Sequence, residues 1–304
     1  MKKASLTINI YDYTDHRRFL NDAYLDLHRQ DADISYRYLQ KKAGYSVNSN
    51  HFWQLLKGRI PMSQQAARRF GGALGLNVKQ IQYLSLLASF AQADSDADKN
   101  QCMEQLKQFN GFKNRQKGKQ IRYEFYEDWR LPALRELVNL DDFKEDGQWM
   151  SNRMRLHLTA KQAVKGVAKL LSLGFLVRDE SGKLKQADPF IGNFDDSNQD
   201  SEPASLALRN FHRQMIELGK LCIDELEQDQ RLVLGLTMSI SHKQSESIRE
   251  LTREYMKQVE GILLEDQPVE VVQRLNVQMF PLSNVKIKKQ ASGNTVGKQA
   301  IKKL

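Results

Sequence analysis

A chain of 304 residues, 40% hydrophobic and 27% charged, exceeds the ~250 residues at which single cores stop growing, so two or three compact units are expected. No run approaches the ~20 apolar residues of a membrane span, the Met1-Lys2-Lys3-Ala4-Ser5 start lacks the apolar stretch of a secretory leader, and neither Cys102 nor Cys222 has a cysteine or histidine at metal-ligand spacing. These features point to a soluble cytoplasmic protein without metal or other cofactor, and the net charge of +9 suits a polyanionic partner, provided the charge is concentrated.

The first predicted helix starts near Thr14 and carries Phe19, Ala23 and Leu27 on one side, with Leu20 and Tyr24 beside them. Ser35 is the expected N-cap of a short second helix, with Tyr38, Leu39 and Ala43 as its buried stripe and Gly44 as its stop. After a Tyr45-Ser46-Val47 turn, a third helix is expected over residues 48–57, with Phe52, Leu55 and Leu56 inward and Gly58 at its end. Two short helices joined through a glycine turn form the helix-turn-helix arrangement, which presents its second helix to the DNA major groove.

That inward face leaves Ser49, Asn50 and Gln54 pointing outward near the start of the third helix. Asn and Gln amides can bond adenine through two atoms and serine can reach either kind of base edge, so these three are the expected base readers. Arg37, Lys41, Trp53, Lys57 and Arg59 are placed for the DNA backbone, which positions a protein without specifying sequence. Trp53 reads also as cover for a neighbouring helix, because exposed tryptophan is rare. From Ser35 to Gln80 there are eight basic residues (Arg37, Lys41, Lys42, Lys57, Arg59, Arg68, Arg69 and Lys79) and no Asp or Glu. Such a face finds its counterions on another molecule.

The run from Gly44-Tyr45-Ser46 through Leu55-Leu56-Lys57-Gly58-Arg59-Ile60-Pro61-Met62-Ser63 to Ala73-Leu74-Gly75-Leu76 resembles the phage-repressor type of helix-turn-helix. The resemblance implies a fourth helix from Ser63 and a fifth over residues 78–93. Gly71-Gly72 inside the fourth costs about 1 kcal/mol per glycine relative to alanine and points to a close helix contact. As a phosphate loop this stretch lacks the preceding strand and the following Lys-Ser/Thr.

Residues 94–120 are polar, with a short helical pattern at Met103, Leu106 and Phe109, and read as a connector. Aromatics recur at helical spacing from Tyr123 to Trp129, and Pro132 should kink or restart that helix. Thr159 caps a predicted helix bearing Ala163, Val167, Leu170 and Leu171 and ending at Gly174; Phe175 to Arg178, a Glu180-Ser181-Gly182 turn and Lys183 to Gln186 then form a hairpin. This order resembles a winged helix, which either touches DNA through Lys161, Lys165, Lys169, Arg178 and Lys183 or packs within an assembly.

Ser201-Glu202-Pro203 opens a helix with the stripe Phe211, Met215, Leu218, Cys222 and Leu226. Leu232, Leu234, Leu236, Met238 and Ile240 alternate as a strand with one buried face. Ser241 and Gln244 cap a further helix through Ile248, Leu251, Tyr255, Val259 and Ile262, and Val269, Val271, Leu275, Val277 and Met279 form a last strand. Two helices over two strands are too thin to stand alone, so a homodimer through this part is expected. The acid-free tail from Val285, with six lysines, is expected to be disordered.

The expected fold is therefore mainly α with small β (α+β): a five-helix helix-turn-helix domain (1–93), a connector (94–120), a winged-helix-like unit (121–188), a C-terminal α-β-α-β dimerisation or sensor domain (189–284) and a basic tail (285–304). Tyr11 to Leu20, Tyr123 to Val138 with Arg135-Glu136-Leu137, Leu170 to Leu176, Phe211-His212, Leu236 to Ile240 and Asn276 to Leu282 are similar to an uncharacterised bacterial family of candidate transcriptional regulators. The resemblance implies an N-terminal DNA reader and brings no ligand or catalytic residue. His16, His28, His51, His157, His212 and His242 are scattered without a metalloprotease motif or nucleophile elbow, so an enzyme is not expected. Double-stranded DNA read by a homodimer is the expected partner, with no membrane and an unspecified effector. The alternative is a protein-interaction adaptor on a repressor-like fold without DNA binding.

Overall fold

Side-chain caps set where most helices begin. Asp15 accepts the Arg17 N–H to start α1 (His16–Gln30), and Ser35 accepts that of Tyr38 to start α2 (Tyr36–Lys42). After α3 (His51–Leu56), Ser63 caps α4 (Gln64–Leu74). Asn77 and Gln80 form a reciprocal capping box on α5 (Val78–Gln92), and Ser95 caps α6 (Asp96–Leu106). Each cap satisfies an N–H that the helix itself leaves orphaned. The computed structural model describes residues 4–109, 123–154, 158–187, 202–265 and 267–284. It is mostly helical, with one two-stranded sheet among the described residues.

Phe19 and Leu20 of α1, Leu39 of α2, Phe52 of α3, Phe70 of α4 and Tyr83 of α5 meet in a solvent-free core. The Tyr83 hydroxyl donates to the Tyr13 carbonyl at 2.8 Å, which holds the 3-10 turn Ile10–Asp12 near α5. Thr7 ties the preceding strap to α1 by donating its N–H and hydroxyl to Asp26, each at 2.7 Å. Gly71 makes the close approach expected of the glycine pair: a Cβ there would lie 2.7 Å from Ile81 Cγ1 on α5. Gly72 faces open space.

Four local expectations shift. The first helix begins at His16 rather than near Thr14, because the Asp15 carboxylate supplies the cap. In α2, Gln40 is buried with Leu39 while Tyr38 is 44% exposed, because the Gln40 amide bonds the next turn. The third helix starts at His51, not residue 48, since Ser46 and Ser49 first close a turn and Asn50 adopts left-handed angles (φ 47°, ψ 22°). The helical pattern read within the expected connector extends to a full helix, α6, up to Leu106, packed on α5 through Met103 and Leu106.

Beyond residue 122, α7 (Arg130–Leu137), α8 (Gly147–Arg153) and α9 (Ala160–Leu173) pack together and lead into β1 (Leu176–Arg178) and β2 (Leu184–Gln186). Pro132 falls in the first turn of α7, where its missing N–H breaks no helical bond. Thr159 and Gln162 cap α9 reciprocally and Gly174 ends it at φ 78°. The strands are antiparallel, with Leu176 opposite Gln186 and Arg178 opposite Leu184. The Asp179 carboxylate accepts from Ser181 and Lys183 to close their turn.

The last two helices are α10 (Glu202–Glu225) and α11 (His242–Ile262), the latter opened by the Ser241–Gln244 capping box. The strands expected over residues 232–240 and 269–279 do not form: among the described residues the only ladder is β1–β2. Alternation specifies a strand's faces, but a ladder also needs a partner backbone. Among the described residues, 232–240 makes no backbone–backbone bond, and of 269–279 only the Val269 carbonyl accepts one, from the Asp141 N–H at 3.0 Å, which is too little for a ladder. The chain divides into two compact units, residues 1–273 and 274–304. In the second, the Arg274 Nε donates to Asn276 at 2.8 Å. The basic tail, Ser201 and His157 lie outside the described residues.

Candidate functional site

A buried amide organises the corner between α2 and α3. Gln40, only 3% exposed, donates through Nε2 to the Ser46 carbonyl and to Ser49 Oγ, and accepts the Phe52 N–H at 3.2 Å through Oε1. Aromatic stacking holds the other side. The Tyr45 ring lies 4.4 Å from His51 and 5.1 Å from Phe70, both nearly parallel, and Arg69 rests 5.0 Å over Tyr45. Burial lowers the His51 pKa, which favours a neutral ring in this stack.

The expected base readers share this corner but differ in freedom. Ser49 is exposed, yet its hydroxyl donates to the Ser46 carbonyl at 2.9 Å and accepts from Gln40 at 3.0 Å, so it shapes the turn. Asn50 is exposed and makes no side-chain capping bond. Gln54 is half-buried, one helical turn further along α3.

Arg37, Lys41, Lys57 and Arg59 are all exposed around this corner. Trp53 is half-buried with the Arg59 guanidinium 4.4 Å over its ring. Among the described residues, none of the eight basic side chains between residues 35 and 80 has a carboxylate partner. No ion pair among the described residues offsets their charge, although the Asp15 carboxylate lines the same cleft as Lys57.

Two cations missed in the sequence join them. Arg17 and Arg18, in the first turn of α1, line an open cleft of about 310 Å³ with Asp15, Tyr36, Trp53 and Lys57. The Arg17 guanidinium lies so close to Gly58 (φ 67°) that a Cβ there would sit 2.5 Å from Nη1. No local signal marked either arginine, because only tertiary packing brings α1 beside the end of α3.

The five cations of the helix–hairpin unit are arranged differently. Lys161, Lys165 and Lys183 are exposed without a carboxylate partner among the described residues, whereas Lys169 pairs with Glu124 at 3.3 Å. Arg178 holds both Glu145 oxygens, at 2.9 and 2.6 Å, and also donates to the Gly182 carbonyl. The hydrogen bond from Arg178 holds the Glu145 carboxyl below its ordinary pKa. Beside Lys161 and Lys165, Val164 is 56% exposed, giving α9 a mixed surface.

Among the described residues no group of three or more His, Cys, Asp or Glu side chains could hold a metal ion, and no helix is long and apolar enough to cross a membrane. A family model described as a domain of unknown function (DUF4423) matches residues 109–282. No curated protein and no solved structure matches the chain. The matched residues begin after α6, so the α2–α3 corner lies outside them.

Proposed function

The chain belongs to the DUF4423 family, whose model covers more than half of it, and because that family's description supplies no activity we propose one from the remaining residues: a cytoplasmic, sequence-specific, DNA-binding transcriptional regulator acting as a homodimer. The observation that carries this reading is the positive face around the exposed Asn50 tip. Asn50 and Gln54 offer amides to base edges, and Ser49 supports the turn that presents them. Arg37, Lys41, Lys57 and Arg59, joined by Arg17 and Arg18, serve the phosphates. The helix–hairpin unit is read as a packing element, because Lys169 and Arg178 already spend their charge on Glu124 and Glu145.

Genomic DNA fragments captured by the full chain, then titrated at ~50 to ~200 mM salt, test this. Each phosphate neutralised contributes a slope of about −0.9 in log affinity against log salt, so six contacts give about −5. Asn50→Ala or Gln54→Ala should relax preference at one base pair by about 1–3 kcal/mol, while Lys57→Ala should weaken all sequences alike. If no fragment is captured, or affinity ignores salt, the regulator reading fails and the adaptor takes its place.

A further inference from the structure

Exposed large apolar side chains are densest beyond residue 231, with more of them in residues 232–264 than in 269–282. Leu232, Leu234 and Leu236 are 80%, 82% and 79% exposed. α11 has no buried residue in 21 positions, although Leu251, Tyr255 and Ile262 lie along one stripe. Long helices draw most of their stability from packing such a face. Between residues 232 and 264, eleven large apolar side chains are more than a third exposed, whereas monomers rarely expose contiguous apolar patches beyond a few hundred Å².

The main chain points the same way. From Leu232 to Ile240 no backbone–backbone hydrogen bond forms among the described residues. Arg231 and Ser241, on either side, have extended dihedrals. Nine residues with apolar side chains at every second position and no ladder carry the pattern of a strand still lacking its partner, and such a segment pairs with another chain unless it is blunted. No proline or lysine interrupts it.

We propose that residues 232–264 are one half of a two-fold interface, in which residues 232–240 pair antiparallel with the same residues of a second copy, centred on Leu236. A second copy fits for three reasons. A standard interface needs about 20–30 residues a side, and this stretch supplies that number with an apolar centre. α11 carries four Lys or Arg and four Glu, a balanced face that does not repel itself and has no excess charge to attract a polyanion or an anionic lipid surface. The apolar pattern is also symmetric. Pairing about Leu236 sets Leu234 opposite Met238 and Leu232 opposite Ile240, so all five share one face; any other register leaves an apolar overhang. The contact is self-complementary, as a two-fold axis requires.

This interface deepens the proposed regulator by seating its dimer and rests on that reading for its role, but its test needs no DNA. Sedimentation velocity on the DNA-free full chain at micromolar concentration should show a dimer. Leu234→Asp with Leu236→Asp should give a monomer of unchanged helical circular dichroism, since both side chains are exposed in the single copy. With Cys102→Ser and Cys222→Ser in place, Leu236→Cys should form a disulfide-linked dimer at least tenfold faster than Thr237→Cys, which faces Gly235 rather than itself. A monomeric wild type overturns the proposal, whatever that face then binds. So does a dimer that survives the double substitution, or equal cross-linking at 236 and 237. A dimer that captures no DNA sinks the regulator and supports the interface.

Discussion

His16 occupies the first position of α1, 2% exposed, and its Nδ1 finds no hydrogen-bond partner, the nearest carboxylate oxygen being that of Asp15 at 3.9 Å. Burial lowers its pKa to about 4 against the pull of Asp15. The unfolded chain takes up this proton near pH ~6.5 and the folded chain only near its lowered value, so stability falls as pH drops through that window. The loss is on the order of 3 kcal/mol. Urea unfolding at pH 7, 5.5 and 4.5 should show this decline, and His16→Leu should flatten it; equal slopes would mean the ring is solvated. Gln40 illustrates a different residue-scale dependence. Gln40→Leu keeps the volume but leaves the buried Phe52 N–H without its acceptor, a cost of about 1–3 kcal/mol. A chemical melt that did not move would show another group satisfying that N–H.

Elements whose boundaries rest on local chemistry were legible in the sequence. Ser35, Ser63, Thr159, and Ser241 with Gln244 cap where the sequence placed them, because a cap involves only a few consecutive residues; the Gln162 half of the Thr159 box appears only in the structure. The start of α3 was not legible, since its turn is closed by Gln40 from another helix. Arg17 and Arg18 escaped for the same reason, and the alternating 232–240 run gave the faces of a strand but not its missing partner. The glycine pair of α4 was half legible: composition announced a close contact but not which glycine makes it. Alanine adds about 1 kcal/mol of helix propensity at either position. At Gly72, open to solvent, that gain should appear as a thermal midpoint raised by a few degrees. At Gly71 the new methyl meets Ile81, and overpacking of about 1–3 kcal/mol should outweigh the gain. Midpoints that moved together would remove Gly71 from the α4–α5 contact.

Across the whole molecule, the helices before residue 110 are tied to the family domain by polar links between α6 and α10. Arg209 grips Asp96 at 2.9 Å, Arg213 reaches the same carboxylate, and Asn210 bonds Asn100 at 2.8 Å. The hydrogen bond from Arg209, aided by Arg213, lowers the Asp96 pKa to about 2. A depressed carboxylate pKa stabilises fully above the unfolded value near ~3.8, and the contribution is lost as pH falls through the folded value. It is at most about 2 kcal/mol, because the Arg213 end is solvent-screened. Asp96→Asn preserves the shape of the side chain but not its charge. It should cost about 1–2 kcal/mol in urea unfolding at pH 7, and the gap from wild type should narrow steadily below pH ~4 as the native carboxylate also becomes neutral. A gap that stayed constant down to pH ~2.5 would assign the cost to altered hydrogen-bond geometry, leaving the α6–α10 joint without an electrostatic component.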